Sequence, residues 1–283
     1  SATLPAMTSL PLALGLTVAL YAPVAFAQGS GSDPAPLEGA QVVFLGEVHD
    51  NPAHHVRQAE VVADLQPAAI VFEMLTSDQA ARITPEMVGD VELMAEVLEW
   101  DNSGWPDFAM YYPIFASAPE AAWFGAALPR EEARAAQDQP LARIFGDSAG
   151  FYGLDEPLPS EQQLMREEMQ MAAHCNAMPV NMLSVMVGIQ RLRDARLAET
   201  ALEALSIHDG PIVVITGNGH ARADWGAPAL LRRAAPEVRV ATLGQGEAGS
   251  GAPAGIFDLV EESAGVDRED PCAAFDTPEP PAN

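Results

Sequence analysis

The sequence predicts an α/β fold, in which a mostly parallel β-sheet is flanked by helices and accompanied by a smaller helical subdomain. Short apolar runs rich in β-branched residues end at Gly, Pro or Asp, as strands buried on both faces do. Segments of helical length separate most of these runs, which is the chain order of a parallel sheet. Apolar residues make up 48% of the 283 residues, enough to cover such a sheet on both faces.

Six strands are predicted, and the two strongest are residues 41–45 and 211–216. Each of these two runs ends at a glycine, Gly46 and Gly217, which lets the backbone turn sharply after the strand. The full set of predicted strands is 41–45, 68–74, 121–126, 211–216, 238–243 and 256–260.

The helices predicted between the strands are amphipathic at helical spacing. Asn51 and Pro52 are start signals for the first helix. Ser160 and Gln163 have the spacing of a capping box for the third. The predicted helices are 53–65, 87–100, 160–175, 181–205 and 227–235. They give the domain two helical insertions, at about 76–119 and 160–205, and leave residues 244–255 as a loop.

The ends of the chain differ in composition from its centre. Residues 1–27 carry no charge, and Ala25-Phe26-Ala27 has the small-residue form that signal peptidase cleaves. Residues 28–37 are interpreted as a linker, 38–260 as the α/β domain and 261–283 as an acidic tail. We therefore expect export to the periplasm. No cysteine lies near the cleavage point, so no stable membrane anchor is expected.

Charge and cysteine content narrow the partners and the compartment. The chain has 40 acidic and 14 basic residues, giving a net charge of −26, which argues against nucleic acid as a partner. Cys175 and Cys272 are the two cysteines, and in an oxidising compartment we expect them to pair. The alternative is two free thiols.

Four ionisable residues follow the ends of three predicted strands. Glu47 and His49 come directly after the first strand, Glu73 ends the second, and His220 closes the Gly217–His220 motif after the fourth. Carboxyl ends of parallel strands meet at one edge of a sheet, where ligands bind, so we expect these side chains to share a cleft. In the alternative interpretation, His49 caps the next helix and Glu73 faces water.

Several segments of the chain, taken in order, resemble ChaN-like haem-binding uptake proteins of the Tiki/ChaN/erythromycin-esterase superfamily. The resemblance extends over about residues 41–243. It implies an α/β domain with a smaller helical part and a role in haem or iron acquisition in bacterial envelopes. The segments that carry it are 46–58, 72–74, 105–114, 127–130, 174–175, 190–195 and 217–220.

Under this resemblance the leading function is haem binding in the periplasm. The aromatic, Met-rich helical region would face the porphyrin. The expected ligands to iron are Tyr111, Tyr112, His54 or His55. Arg130 and Arg193 are the expected partners of the haem propionates. Asp194, next to Arg193, is interpreted as part of a solvated ion-pair face. Haem or an iron-bearing small molecule is the expected partner, and homodimer formation is left open.

The rival interpretation is a Tiki-like metal-dependent hydrolase. In it, His49, His220 and a carboxylate from Glu47 or Glu73 hold a divalent metal ion, and the remaining glutamate activates water. A third interpretation is an interaction module that keeps the fold without a ligand. The residues alone leave binding protein and hydrolase open.

Overall fold

The protein, described here by a computed structural model over residues 37–273, has a six-stranded sheet whose neighbouring strands are all parallel. The strand order is β3-β2-β4-β1-β5-β6. The predicted α/β class and mostly parallel sheet are confirmed. The strands are Val42–Glu47 (β1), Ala69–Phe72 (β2), Ala122–Gly125 (β3), Ile212–Gly217 (β4), Val240–Glu247 (β5) and Leu259–Ser263 (β6).

Helices connect the strands and cover the sheet on both faces. Over the described residues these are Pro52–Leu65 (α1), Ser77–Ala80 (α2), Val91–Val97 (α3), Phe108–Ser117 (α4), Arg130–Ala135 (α5), Leu141–Phe145 (α6), Ser160–Ala173 (α7), Val180–Ile207 (α8), Asn218–Ala221 (α9) and Ala227–Ala234 (α10). Short 3₁₀ turns lie at Pro85–Gly89, Trp100–Asn102 and Ala149–Tyr152.

The core has two halves, one on each face of the sheet. Alternate residues of β1 point to opposite faces: Val43 and Leu45 join a core with α1 and α4, while Val42 and Phe44 join one with α8 and α10. All four side chains are fully buried. This burial on both faces explains why the strands are almost wholly apolar in sequence.

The start of α1 follows the predicted signals. Asn51 occupies the N-cap and its side chain accepts a hydrogen bond from the Ala53 backbone N–H at 2.9 Å, with Pro52 as the first helical residue. The predicted capping box at Ser160 is wrong. Pro159 takes the N-cap position of α7 without a side-chain cap, and Gln163 bonds to Glu167 instead.

The predicted helix 87–100 is interrupted. Residue Gly89 ends a 3₁₀ turn, and Asp90 then caps a new helix by accepting from the Leu93 N–H at 3.0 Å. An Asp side chain that bonds to nearby backbone N–H groups favours a helix start over a helix interior, so one predicted helix becomes three short pieces.

The predicted loop 244–255 begins as strand, because β5 continues to Glu247. Glycine at 244 leaves room for the ring of Phe257, which would lie 2.8 Å from an added Cβ. Glycines of this kind permit close packing against a strand, although in sequence they are typical of a loop.

The acidic tail is tied to the domain at two points. Cys272 is disulfide-bonded to Cys175, just after α7, with Cα atoms 5.3 Å apart, so the predicted pairing is confirmed. Arg268 forms ion pairs with Asp50 at 2.6 Å and with Glu247 at 2.7 Å. The predicted signal peptide, the linker up to residue 36 and residues 274–283 lie outside the described residues. Within residues 37–273, no helix is both long enough and apolar enough to cross a membrane.

Candidate functional site

A cleft of about 610 Å³ lies at the carboxyl ends of the central strands. The chain leaves β1 through α1 on one face of the sheet and leaves the neighbouring β4 through α10 on the other. Such a reversal opens a crevice at the sheet edge. The cleft is lined by all four residues that the sequence placed at this edge: Glu47, His49, Glu73 and His220.

Glu47, the last residue of β1, is the buried centre of one half of the site. Its Oε1 accepts hydrogen bonds from His49 Nδ1 at 2.7 Å and from the Tyr111 hydroxyl at 2.9 Å. Its Oε2 lies 3.4 Å from His55 Nδ1. Burial alone would raise the pKa of Glu47, but the hydrogen bonds and charges of His49 and His55 outweigh it and lower the pKa to about 2. Glu47 is therefore ionised at neutral pH.

His49 reaches the cleft from the loop after β1. Because an ionised carboxylate only accepts hydrogen bonds, the proton of the imidazole lies on Nδ1, which faces Glu47. The other ring nitrogen, Nε2, has no hydrogen-bond partner within the described part of the chain. The ring packs edge-on against Trp105, and 35% of the side chain is exposed. Burial acts to lower the pKa of His49, but its hydrogen bond to Glu47 and the charges of Glu73 and Glu47 raise it. Once the ring has given up its second proton, Nε2 presents a lone pair at a partly open position.

Glu73 anchors the other half of the site. Its Oε2 accepts hydrogen bonds from the Thr216 hydroxyl at 2.6 Å and from the Gly217 N–H at 2.9 Å, and its Oε1 is 3.6 Å from His220 Nε2. Burial acts to raise the pKa of Glu73, but the charges of His220 and His49 and these hydrogen bonds lower it below its ordinary value.

Asp194 completes this half from the long helix α8. Its Oδ1 is 2.7 Å from His220 Nδ1, and both side chains are buried. Burial opposes the charge of His220, but Glu73 and Asp194 flank the imidazole and raise its pKa. Burial raises the pKa of Asp194. The expectation that Asp194 lies on a solvated face is wrong. It lies seven residues from both the buried Val187 and the buried Ala201, a helical spacing that marks the apolar face.

The other histidines and the tyrosines expected to bind iron do not line the cleft. His54 is fully buried, where its Nδ1 accepts from the Val48 N–H and its Nε2 bonds to the Gly246 carbonyl. His55 is fully buried as well, and its Nε2 lies 2.9 Å from the carbonyl oxygen of His49. These two imidazoles hold the backbone of the loop that carries His49.

Both tyrosine hydroxyls are likewise engaged elsewhere. The Tyr111 side chain is fully buried against Glu47, and burial together with that charge raises the pKa of its hydroxyl, which opposes a tyrosinate. The Tyr112 hydroxyl donates to the Val88 carbonyl at 2.8 Å. The aromatic cluster of this region serves packing.

The two arginines expected to hold propionates lie near one another in the fold. Arg193 lines the cleft and also an adjoining cavity of about 290 Å³, and the exposed Arg130 lines that second cavity. Neither guanidinium has an ion pair within residues 37–273.

The remaining walls come from residues that sequence reasoning did not select for the cleft. Helices α7 and α8 and the segment after α9 provide apolar surface and polar groups that no strand-end pattern indicates. They are Arg166, Met169, Gln170, Val187, Gln190 and Trp225, and the loop before α4 adds the ring of Trp105.

The described residues contain no group of three or more His, Cys, Asp or Glu side chains arranged to hold a metal ion. The donors are paired with each other instead: Glu47 with His49, and His220 with Asp194. The arrangement leaves one imidazole nitrogen, at His49, facing a cleft with apolar walls.

Comparison with protein families gives a match over residues 35–231 to the family described as haem-binding uptake, Tiki superfamily, ChaN. The match covers well over half of the chain. The chain belongs to this family. The family resemblance predicted from the sequence is thereby confirmed. No match was found among the curated proteins compared.

One of two similar solved structures supports the fold of this ChaN-family protein. ChaN of Campylobacter jejuni, described as binding haem cofacially, is 20% identical, with a TM-score of 0.59 over 75% of this chain and 84% of that one. The type III effector HopBA1 is 14% identical, with a TM-score of 0.41 over 79% of this chain and 88% of that one. The first of these supports the α/β architecture.

Proposed function

We propose that this ChaN-family protein binds haem in the cleft at the ends of β1 and β4 and serves haem or iron uptake in the periplasm. One observation carries the proposal. His49 presents an unpartnered imidazole nitrogen to an apolar-walled cleft, and the buried carboxylate of Glu47 fixes its tautomer. A carboxylate behind an imidazole orients the ring and raises its basicity toward a metal.

The cleft suits the size and polarity of haem. Its volume of about 610 Å³ lies within the range of small-molecule and cofactor pockets. Trp105, Met169, Val187 and Trp225 supply flat or flexible apolar surface for a porphyrin face. A bound haem would supply an iron centre that a protein side chain can ligate.

His49 replaces the tyrosines as the residue proposed to hold the haem iron. Imidazole is an ordinary axial ligand of haem iron, and the Nε2 of His49 is available for that role. Tyr111 would first have to break its bond to Glu47 and give up its proton next to that negative charge. The physical cost of that step favours His49.

Arg193 and Arg130 remain the proposed partners of the propionates. Arg193 stands on the cleft wall and Arg130 lies in the cavity that continues from it. Guanidinium groups bind carboxylates through paired, charge-assisted hydrogen bonds. Arg193 on α8 and Arg130 on α5 would therefore hold the propionates of a bound haem.

Titration of the haem-free protein with haemin tests the proposal. We expect a saturable shift of the Soret band at micromolar protein, and the titration also gives the number of haems per chain. Metal analysis of the purified protein runs beside it. A stoichiometric divalent metal together with no specific Soret change would reject haem and restore the hydrolase interpretation.

Gly217→Ala should weaken haemin binding by about tenfold, the loss expected when a ligand is displaced from its supporting contacts. An added Cβ at this position would lie 2.9 Å from His49 Nε2, too close for the ring to stay in place. Gly89→Ala is the matched control, because its added Cβ would meet nothing within 4 Å and the residue lies outside the cleft lining. Soret titrations of the two variants give the comparison. Equal affinities would show that His49 does not hold the iron.

Arg193→Gln should weaken haemin binding by roughly tenfold, since a hydrogen bond to a charged group contributes about 1.5 kcal/mol. Haem dimethyl ester, which lacks the propionate charges, should bind the variant and the native protein alike. Arg143→Gln removes the same charge from an exposed site outside the cleft and serves as control. If Arg193→Gln weakened the binding of the ester as much as that of haemin, Arg193 would act through packing and not through the propionates.

The periplasmic location rests on the export signal in the sequence and on the Cys175–Cys272 disulfide, which is typical of oxidising compartments. Fractionation of cells that express the full chain tests it. Recovery with the cytosolic fraction, with both thiols free, would overturn this part of the proposal.

Homodimer formation also remains a prediction. The outer side of α7 exposes Leu164, Met165 and Met169, and Met169 also lines the cleft. Sedimentation with and without haemin tests whether a second chain assembles with the first.

A further inference from the structure

A second cavity, of about 600 Å³, shares a wall with the cleft. Arg166 and Trp225 line both spaces, so these two side chains stand between them. We call this second space the arginine pocket and define it by Arg166, Arg191, Arg233, Trp225, Tyr152 and Leu158. Its chemistry differs from that of the cleft.

Arg166 enters this wall from α7 with its charge incompletely satisfied. The residue is only 9% exposed, and its buried Nε has no hydrogen-bond partner within residues 37–273. One terminal nitrogen donates to the Trp225 carbonyl at 3.2 Å. The charges of Asp194 and Asp224 act on Arg166, but these carboxylates are bonded to His220 and Arg222. A buried guanidinium is costly without a full set of partners.

Two further arginines face the same space. Arg191 donates only to the neutral carbonyls of Gly153 and Glu156, which do not cancel its charge. Burial and the neighbouring charges of Arg166 and Arg233 lower the pKa of Arg191. Arg233 forms an exposed ion pair with the Glu156 carboxylate at 3.2 Å, which contributes little stability.

The concentration of positive charge here is unusual for this chain. Three of its 14 basic residues line one cavity, although the protein carries 40 acidic residues. Like charges brought together at partly buried positions repel. The Glu156 and Asp224 carboxylates in the lining are paired with Arg233 and Arg222, so Arg166 and Arg191 have no carboxylate bonded to them within residues 37–273. The rest of the lining includes the rings of Tyr152 and Trp225 and the apolar side chain of Leu158.

We infer that the arginine pocket binds a small organic anion whose carboxylate or phosphate head group contacts Arg166 and Arg191 and whose apolar body lies against Trp225 and Leu158. A guanidinium fork matches either head group with paired hydrogen bonds. The inference is separate from haem binding, because it concerns a different cavity and requires no iron.

Calorimetric titration of the haem-free full chain tests the inference with three probes: octanoate, octyl phosphate and uncharged octanol. We expect octanoate, octyl phosphate or both to bind once per chain with a dissociation constant on the order of 0.1 mM, as expected for a ligand of this size. Octanol should bind at least tenfold more weakly. Tighter binding of octanoate would indicate a carboxylate ligand, and tighter binding of octyl phosphate would indicate a phosphate ester.

Arg191→Gln and Arg233→Gln should each weaken the anion by roughly tenfold, the effect of losing one charge-assisted hydrogen bond. Arg191→Gln could also loosen the loop at Gly153 and Glu156 that Arg191 holds. Arg233 is exposed, so Arg233→Gln tests the pocket without disturbing the fold. The control is Arg143→Gln, which removes an equal charge outside the pocket. The inference is overturned if neither anion binds at millimolar concentration or if octanol binds as tightly as the anions. It is also overturned if Arg143→Gln weakens anion binding as much as the two pocket variants do.

Discussion

His49→Ala is expected to weaken haemin binding by about two orders of magnitude, since even the loss of an outer partner of a metal ligand costs 10- to 100-fold. The substitution removes an imidazole nitrogen that faces the cleft without a hydrogen bond or ion pair within residues 37–273, while leaving the strands and the apolar walls in place. A Soret titration should show a weak, poorly saturating change. Thermal unfolding of the variant checks that the fold is retained.

His208→Ala is the matched control for this result. His208 follows α8 and lies against Phe124, away from the cleft, so its removal should leave the Soret shift unchanged. Tyr112→Phe should have no effect either, because the Tyr112 hydroxyl bonds to a backbone carbonyl outside the cleft. If haemin binding instead survives the loss of His49 and falls in the tyrosine variant, the tyrosine expected from the sequence is the ligand.

The strands were predictable because they are buried on both faces. Residues 41–45 and 211–216 read as apolar runs ending at glycine, and β1 and β4 occupy those positions to within two residues. The long α8 was equally visible, since its apolar positions recur at helical spacing. Such signals are local and depend only on burial and period.

Other elements depend on contacts that sequence does not display. The strand β5 runs through Gly244 because Phe257, thirteen residues later, packs on the space a side chain would fill. The break at Gly89-Asp90 depends on which of two local hydrogen-bond patterns the fold favours. Neither choice follows from the residue types alone.

The candidate site divides in the same way. Glu47, His49, Glu73 and His220 could be predicted together, because the ends of parallel strands meet at one edge. The opposite walls of the cleft could not, since Arg166 and Trp225 lie on α7 and after α9, and their approach depends on how the helices pack. The positions of the tyrosines could not be predicted either, because Tyr111 lies behind the site against Glu47 and the half-buried Tyr112 bonds to the Val88 carbonyl.

Glu47→Gln is expected to lower the free energy of unfolding of the haem-free protein at neutral pH by about 3 kcal/mol, the value of a pKa held near 2 instead of 4.5. The buried carboxylate holds His49 and His55 by charge as well as by hydrogen bonds. A glutamine fills the same volume but offers a neutral amide. Urea unfolding of the two proteins measures the difference.

The pH dependence separates this electrostatic effect from a packing defect. Because the folded state lowers the pKa of Glu47, the carboxylate stabilises the protein above pH 4.5, and this contribution is lost as the pH falls from 4.5 toward 2. The difference in free energy of unfolding between Glu47→Gln and the native protein should therefore become smaller as the pH falls over that range. Glu120 lies at an exposed turn before β3, so Glu120→Gln should have the same free energy of unfolding as the native protein at every pH in this range. A gap that stays constant on acidification would mean that glutamine disturbs packing and that Glu47 does not act through its charge.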